Sequence, residues 1–179
     1  SAVGFVFGKK LHNELGVPVG LIQSTWGGTH AESWTSMEVM KDDTLYSDVL
    51  QQFALKNVKR NKDYCKVPST LWNGMIAPIA GYTVRGNIWY QGESNVGKHK
   101  MYAERLKTMV ELWRKEWGLG ELPFYYVEIA PFNSTETTGC AYLRIYDKLL
   151  ITMKDDKAGF WKCPYHNGRM CMEILERFS

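Results

Sequence analysis

Residues 84–130 read VRGNIWYQGESNVGKHKMYAERLKTMVELWRKEWGLGELPFYYVEIA, two apolar runs on either side of one long amphipathic segment. The run VRGNIWY predicts a strand over 84–90, and FYYVEIA, opened by Pro123, predicts another over 124–130. Between them Tyr102, Leu106, Met109, Val110, Trp113 and Trp117 fall at offsets of about 0, 4, 7, 8, 11 and 15, the spacing of one helical face. Glu111 and Lys115 are set for an i,i+4 ion pair on another face, and Gly118 ends the helix. Strand, helix, strand is the unit that joins parallel strands. Toward the N-terminus, Val3, Phe7, Leu11 and Leu15 predict a helix over 1–15 with Gly16 as its C-cap. Val17, Val19, Leu21 and Ile22 predict a short strand within VPVGLIQS, 17–24. Thr35-Ser36-Met37-Glu38 matches a capping box, so a helix is expected to begin near residue 36. Residues 42–60 read as a weakly amphipathic helix, 61–82 as mostly irregular chain around Pro68, Gly74, Pro78 and Gly81, and 140–153 as a further helix. The class is therefore α/β with a mostly parallel sheet. Three strands fall short of a typical sheet of about five. Either further strands lie in 61–82 and 158–163, or part of the fold is absent.

The chain has 179 residues, 45% hydrophobic and 23% charged, an ordinary globular composition suited to one domain. No apolar run approaches the ~18 residues of a membrane span. The net charge of +3 comes from 22 Lys+Arg against 19 Asp+Glu, a scattered excess that does not point to nucleic acid. Cys65, Cys140, Cys163 and Cys171 do not have zinc spacing. Cys163, His166 and Cys171 lie close together but want a fourth ligand, so no metal is expected. There is no G-x-G-x-x-G after a strand and no Walker pattern.

In open parallel sheets, ligands bind beyond the C-terminal ends of the strands. Two polar clusters fall there: Ser24-Thr25-Trp26-Gly27-Gly28-Thr29 after the first strand, and Gln91-Gly92-Glu93-Ser94-Asn95 after the second. Paired glycines let backbone N–H groups come close to an anionic oxygen, and a Gln or Asn beside them adds a donor. Each residue type also has a plain structural use. Paired glycines turn a chain, tryptophans fill cores, and His30, His99 and His166 suit loops without chemistry. Gly92-Glu93-Ser94-Asn95-Val96 misses the nucleophile elbow G-x-S-x-G at its last position, which leaves Ser94 a weak nucleophile candidate.

The blocks VPVGLIQSTWGGTHAESWTS, LWNGMIAPIAGYTVRGNIWYQGESN and YAERLKTMVELWRKEWGLGELPFYYVEIAPF together resemble the sialate O-acetylesterase family of SGNH-type carbohydrate esterases. The resemblance covers about residues 1–150. It implies a three-layer α/β/α, flavodoxin-like fold, expected here to be incomplete. It also implies removal of O-acetyl groups from sialic acids or related acetylated sugars, by a serine mechanism that uses no metal or other cofactor. By that match, Gly28 (preferred over Gly27) and Gln91 form the oxyanion hole. Trp26, Gly27, Gly92, Glu93, Ser94 and Asn95 shape the substrate loops. Glu93, if buried there, would need partners such as Ser94 or a neighbouring N–H. The expected partner is an acetylated sugar, with no nucleic acid or membrane, and the family is commonly exported to the periplasm or medium.

The family's G-Q-S-N nucleophile block and its D-x-x-H block are both missing from these 179 residues. Lys9, Gly27, Val96 and Cys163 stand three places before the four histidines, and none is Asp. Residues 151–179 no longer resemble the family. Three expectations follow: a partial esterase chain that carries the oxyanion and substrate loops, a binding module that holds acetylated sugars without cleaving them, or a hydrolase that uses Ser94 with His99 or His166.

Overall fold

The computed structural model describes residues 1–54 and 64–127. Among these, residues 1–25 and residues 26–127 fall in two compact units. The expected helix 140–153, the possible strand 158–163, and Cys140, Cys163, His166 and Cys171 lie outside the described residues.

In the first unit, helix α1 spans Ala2–Leu15. The Ser1 hydroxyl accepts from the Gly4 amide at 3.4 Å. Gly16 closes the helix with a left-handed φ of 64° and donates its N–H to the His12 carbonyl at 2.9 Å, as its place after Leu15 predicts. Of the helix only Val3 and Gly8 are buried. Leu21 packs over Gly8, leaving 3.2 Å to where a Cβ would sit, so a larger residue there would make the Leu21 side chain shift by a few tenths of an ångström. The strand expected over 17–24 does not form. Pro18 removes a ladder donor and Gly20 weakens extended pairing. Among the described residues no strand borders the segment, and Val17, Leu21 and Ile22 are exposed.

The second unit mixes many helical segments with a small parallel sheet. A 3-10 turn, Ala31–Trp34, leads into α2, Met37–Asp42. Helix α2 starts where expected, but on a single cap. The Ser36 hydroxyl accepts from Val39 N at 3.3 Å, and Glu38 falls at the second helical position, too early to reach back as a capping box requires. Helix α3 covers Ser47–Ala54, after a 3-10 turn at Thr44–Tyr46 that is capped by Asp43. The expected irregular stretch holds short turns at Tyr64–Lys66, Trp72–Ile76 and Ala77–Ile79.

Strand β1, Asn87–Trp89, pairs in parallel with β2, Phe124–Tyr126, in the register Asn87 to Phe124 and Trp89 to Tyr126. Helix α4, His99–Trp117, joins them. The strand–helix–strand unit is as the sequence predicts, but β1 is shorter than the expected 84–90. Pro123 has no N–H to give and only accepts, from Asn87 N at 2.9 Å. Beyond Trp89 the chain leaves the ladder for the loop at Gln91. The C-terminal end of the expected strand 124–130 lies outside the described residues.

Helix α4 buries Tyr102, Leu106, Met109, Trp113 and Trp117, five of the six residues read as its apolar face. Glu111 pairs with Lys107 at 3.8 Å instead of Lys115, four residues the other way. The core is an aromatic stack. Trp89 meets Trp34 and Trp113 edge-on, with ring centres 5.9 and 5.8 Å apart, and Trp113 meets Phe124 at 5.9 Å. Each indole N–H finds an oxygen: Trp113 donates to Trp34 O at 3.1 Å, Trp117 to Tyr82 O at 2.9 Å, and Trp89 to the Tyr102 hydroxyl at 3.3 Å. Burial of each such side chain is worth roughly 1.5–3 kcal/mol, so this stack fixes where β1 ends and where the loop after it begins.

Candidate active site

The two polar loops meet. Gln91 follows directly on β1 and is half-buried. Its Nε2 donates to Thr29 O at 2.9 Å, across 62 residues of sequence, and to Asn95 Oδ1 at 2.6 Å. Its Oε1 accepts from the Tyr102 hydroxyl at 2.8 Å, and the same hydroxyl lies 3.0 Å from Gln91 O. Tyr102 is fully buried in the first turns of α4, so the helix and the Trp89 indole hold the far side of the carboxamide.

The glycine-paired loop is shaped from below. The Thr29 hydroxyl donates to Trp26 O at 2.9 Å and accepts from Trp34 Nε1 at 3.0 Å. Gly27 and Gly28 form the turn above, both exposed. Gly28 has a φ of 71°, a conformation that favours glycine. Among the described residues nothing accepts a hydrogen bond from its amide. Trp26 is 56% exposed, outside the aromatic core.

Of the second loop, Gly92 and Asn95 are buried, Ser94 is half-buried and Glu93 is exposed. Glu93 is exposed in the turn Glu93–Lys98, so it has no need of the partners that burial would require. The buried carboxylate is Glu32, which sequence reasoning did not single out. Its Oε1 accepts from Arg105 Nη1 at 2.6 Å and its Oε2 from Asn95 Nδ2 at 2.9 Å. Asn95 Oδ1 takes the Ala31 amide at 3.0 Å as well as Gln91. Arg105, with a side chain only 1% exposed, also donates through Nη2 to Asp48 Oδ1 at 2.5 Å and Leu45 O at 2.7 Å, and lies 5.4 Å from the Tyr46 ring centre. Lys98 reaches Asp48 at 3.2 Å, so two carboxylates and two cations balance. The segment that bears Glu32 is held from outside by Ser69, a buried residue at a φ of 66°, whose N–H donates to Glu32 O at 3.0 Å.

Three groups have altered proton affinity. Burial lowers the pKa of His30, next to Thr29; Glu32 opposes this, and Lys98 and Lys66 add to it. Burial raises the Tyr46 phenol. For Asp48, burial pushes the carboxyl up, but the hydrogen bond from Lys98 and the charge of Arg105 outweigh it and hold it below the usual range.

The two loops bring together a glycine-backed amide with no acceptor among the described residues and a carboxamide whose Nε2 hydrogens rest on Thr29 O and Asn95 Oδ1. Among the described residues no group of three His, Cys, Asp or Glu could hold a metal ion.

Comparison with known proteins shows the family. The family model described as carbohydrate esterase, sialic acid-specific acetylesterase matches residues 2–152. The sialate O-acetylesterase of Homo sapiens is 36% identical over 156 residues, covering 81% of this chain and 28% of that protein. A carbohydrate acetylesterase from Xanthomonas citri of known crystal structure superposes with a TM-score of 0.65 at 32% identity, over 83% of this chain and 32% of that one. A separate, short similarity, 90% identical over 25 residues or 14% of the chain, is to the cellobiose 2-epimerase of Bacteroides fragilis. The chain thus spans under a third of the length of the acetylesterases it matches.

Proposed function

The chain belongs to the sialic acid-specific carbohydrate acetylesterase family, and on that premise we propose that loops 26–29 and 91–95 are the oxyanion hole and substrate rim of a carbohydrate O-acetylesterase. The reaction is hydrolysis of an acetyl ester on sialic acid or a related sugar. A serine attacks the acetyl carbonyl, its oxygen takes up negative charge, the sugar alcohol leaves, and water releases acetate. In this reading the Gly28 amide and the Gln91 carboxamide stabilise that charge. Trp26, Gly27, Gly92, Glu93, Ser94 and Asn95 line or support the sugar site.

The observation that carries the reading is the 2.9 Å bond from Gln91 Nε2 to Thr29 O, which sets the carboxamide beside the residue after Gly28. Both Nε2 hydrogens have acceptors, Thr29 O and Asn95 Oδ1. An anionic oxygen accepts roughly twice as strongly as a neutral carbonyl, so an arriving oxyanion competes for one of them.

The same reading assigns the nucleophilic serine and the D-x-x-H pair to sequence other than these 179 residues. It takes 1–150 as the esterase domain and 151–179 as a distinct segment. It makes β1, α4 and β2 part of a three-layer α/β/α sheet. Among the described residues no helix is long and apolar enough to cross a membrane; a periplasmic or secreted location belongs to the reading, and cell fractionation tests it. A second reading, a module that binds acetylated sugars without cleaving them, is favoured by the missing nucleophile block.

The test is acetate release and calorimetric binding with O-acetylated N-acetylneuraminic acid, for the 179-residue chain and for the intact product of its gene. Release by the intact product, with binding but no release by the 179 residues, is expected. Binding without release by both supports the second reading. Neither binding nor release by either overturns both.

A further inference from the structure

Glu32 and Arg105 lie outside both loops, and Glu32 meets them only through its bond from Asn95 Nδ2, yet the two are among the most deeply buried charges described. A buried ion pair adds little net stability, because desolvation offsets the attraction. What this one supplies is direction. A carboxylate only accepts hydrogen bonds, whereas a carboxamide has a donor end and an acceptor end. With Arg105 on Oε1, the Oε2 of Glu32 faces Asn95 and demands its Nδ2 end. Together with the Ala31 amide, which can only donate, that turns Asn95 Oδ1 toward Ala31 and Gln91. An acceptor there demands the Nε2 end of Gln91, which leaves Oε1 for the Tyr102 hydroxyl.

We infer that Glu32 is a positioning residue that, through Asn95, sets which end of the Gln91 carboxamide faces the Gly27-Gly28 loop. The inference rests on the oxyanion reading for its catalytic meaning. Reversed, Gln91 would set its carbonyl oxygen against Thr29 O and offer an acceptor, not a donor, to a developing negative charge. Arg105 holds Glu32 through Oε1 and is itself anchored by Asp48 and Leu45 O.

The test uses the 179-residue chain and reads the side-chain amide protons of Gln91 by NMR, with melting followed alongside. The variant Glu32→Leu with Arg105→Met removes both charges together, so no charge is left unpaired and the fold has the best chance to persist. Melting near wild type is expected, with Gln91 amide protons that exchange roughly tenfold faster, the loss of about one hydrogen bond's protection. A merely structural pair would leave those protons as they are once melting is restored, and that result overturns the inference. If the double variant does not fold, Glu32→Gln decides in its place. Gln offers Asn95 either a donor or an acceptor, so two sets of Gln91 amide signals are expected, and a single wild-type set overturns the inference. Binding of O-acetylated N-acetylneuraminic acid is measured on the same samples. Failure of the wild-type chain to bind it counts against the esterase reading, while the amide protons judge Glu32 separately.

Discussion

Gln91 makes bonds on both sides of its carboxamide, so its removal has two effects that can be separated. On the oxyanion reading, Gln91→Ala in the intact gene product is expected to lower kcat for acetate release about 10²–10³-fold, the usual cost of one oxyanion donor, with KM nearly unchanged. An unchanged kcat would take Gln91 out of that role. Asn95→Ala strips acceptors from the Ala31 amide and from Gln91, and leaves Glu32 Oε2 without its donor. We expect it to cost about 2–3 kcal/mol in urea unfolding. His30 gives a pH signature. Its folded pKa lies below the ordinary 6.5, so the unfolded chain takes up a proton first. Stability should therefore fall as pH drops from about 6.5 toward the folded pKa, and level off below it. His30→Gln should flatten that part of a urea-midpoint profile. The meeting of the Gly27-Gly28 and Gln91 loops was legible in their donor chemistry, although only the Gln91 loop follows a strand. Glu32 was not, since nothing local separates a buried carboxylate from a solvated one. Its signal was Arg105, a charge one turn from Tyr102 and beside Leu106 on the apolar face of α4. A buried arginine requires a buried acceptor.

At the scale of elements, the long helix was the easiest to read and the short strands the hardest. Helix α4 repeats its apolar spacing over 19 residues, enough turns for the period to stand out, and its Gly118 stop has the left-handed φ of 64° that glycine tolerates best. Strands β1 and β2 have three paired residues each, too few for a period of two to set their ends. Those ends are set instead by Pro123 and by the departure of the chain into the Gln91 loop. The run 17–24 shows the converse: an apolar stretch becomes a strand only when a neighbour takes up its backbone groups, and that neighbour is not local information. Close approach governs where β1 begins. A Cβ on Gly86 would lie 3.0 Å from Pro123 O, a backbone atom that moves only if the strands part. Gly86→Ala is therefore expected to destabilise the second unit, lowering its melting temperature by several degrees, equivalent to about 1–2 kcal/mol. A variant that melts with wild type would show that β2 yields freely at Pro123.

For the whole molecule, the telling feature is how unevenly apolar surface is covered. The aromatic core of residues 26–127 is closed, with Trp34, Trp72, Trp89, Trp113 and Trp117 all buried. In residues 1–25 the same kinds of side chain face solvent: Phe5, Leu15, Val17, Leu21 and Ile22 are each exposed by 47% or more. Singly such residues are ordinary, but five within one short unit approach the exposed apolar area that drives association. The family model ends at residue 152 and the chain covers under a third of the acetylesterases it resembles, so the surroundings of this unit in a protein of their length need not be those of the 179 residues. The 179-residue chain is therefore expected to self-associate at micromolar concentration and to bind a hydrophobic dye. Leu21→Lys with Ile22→Lys should shift it toward monomer in sedimentation velocity, without changing the near-ultraviolet signal of the tryptophan core. The two effects separate because the substituted residues lie in the first unit and the core tryptophans in the second. A wild-type chain that sediments as a monomer across that range would show that these side chains drive no association.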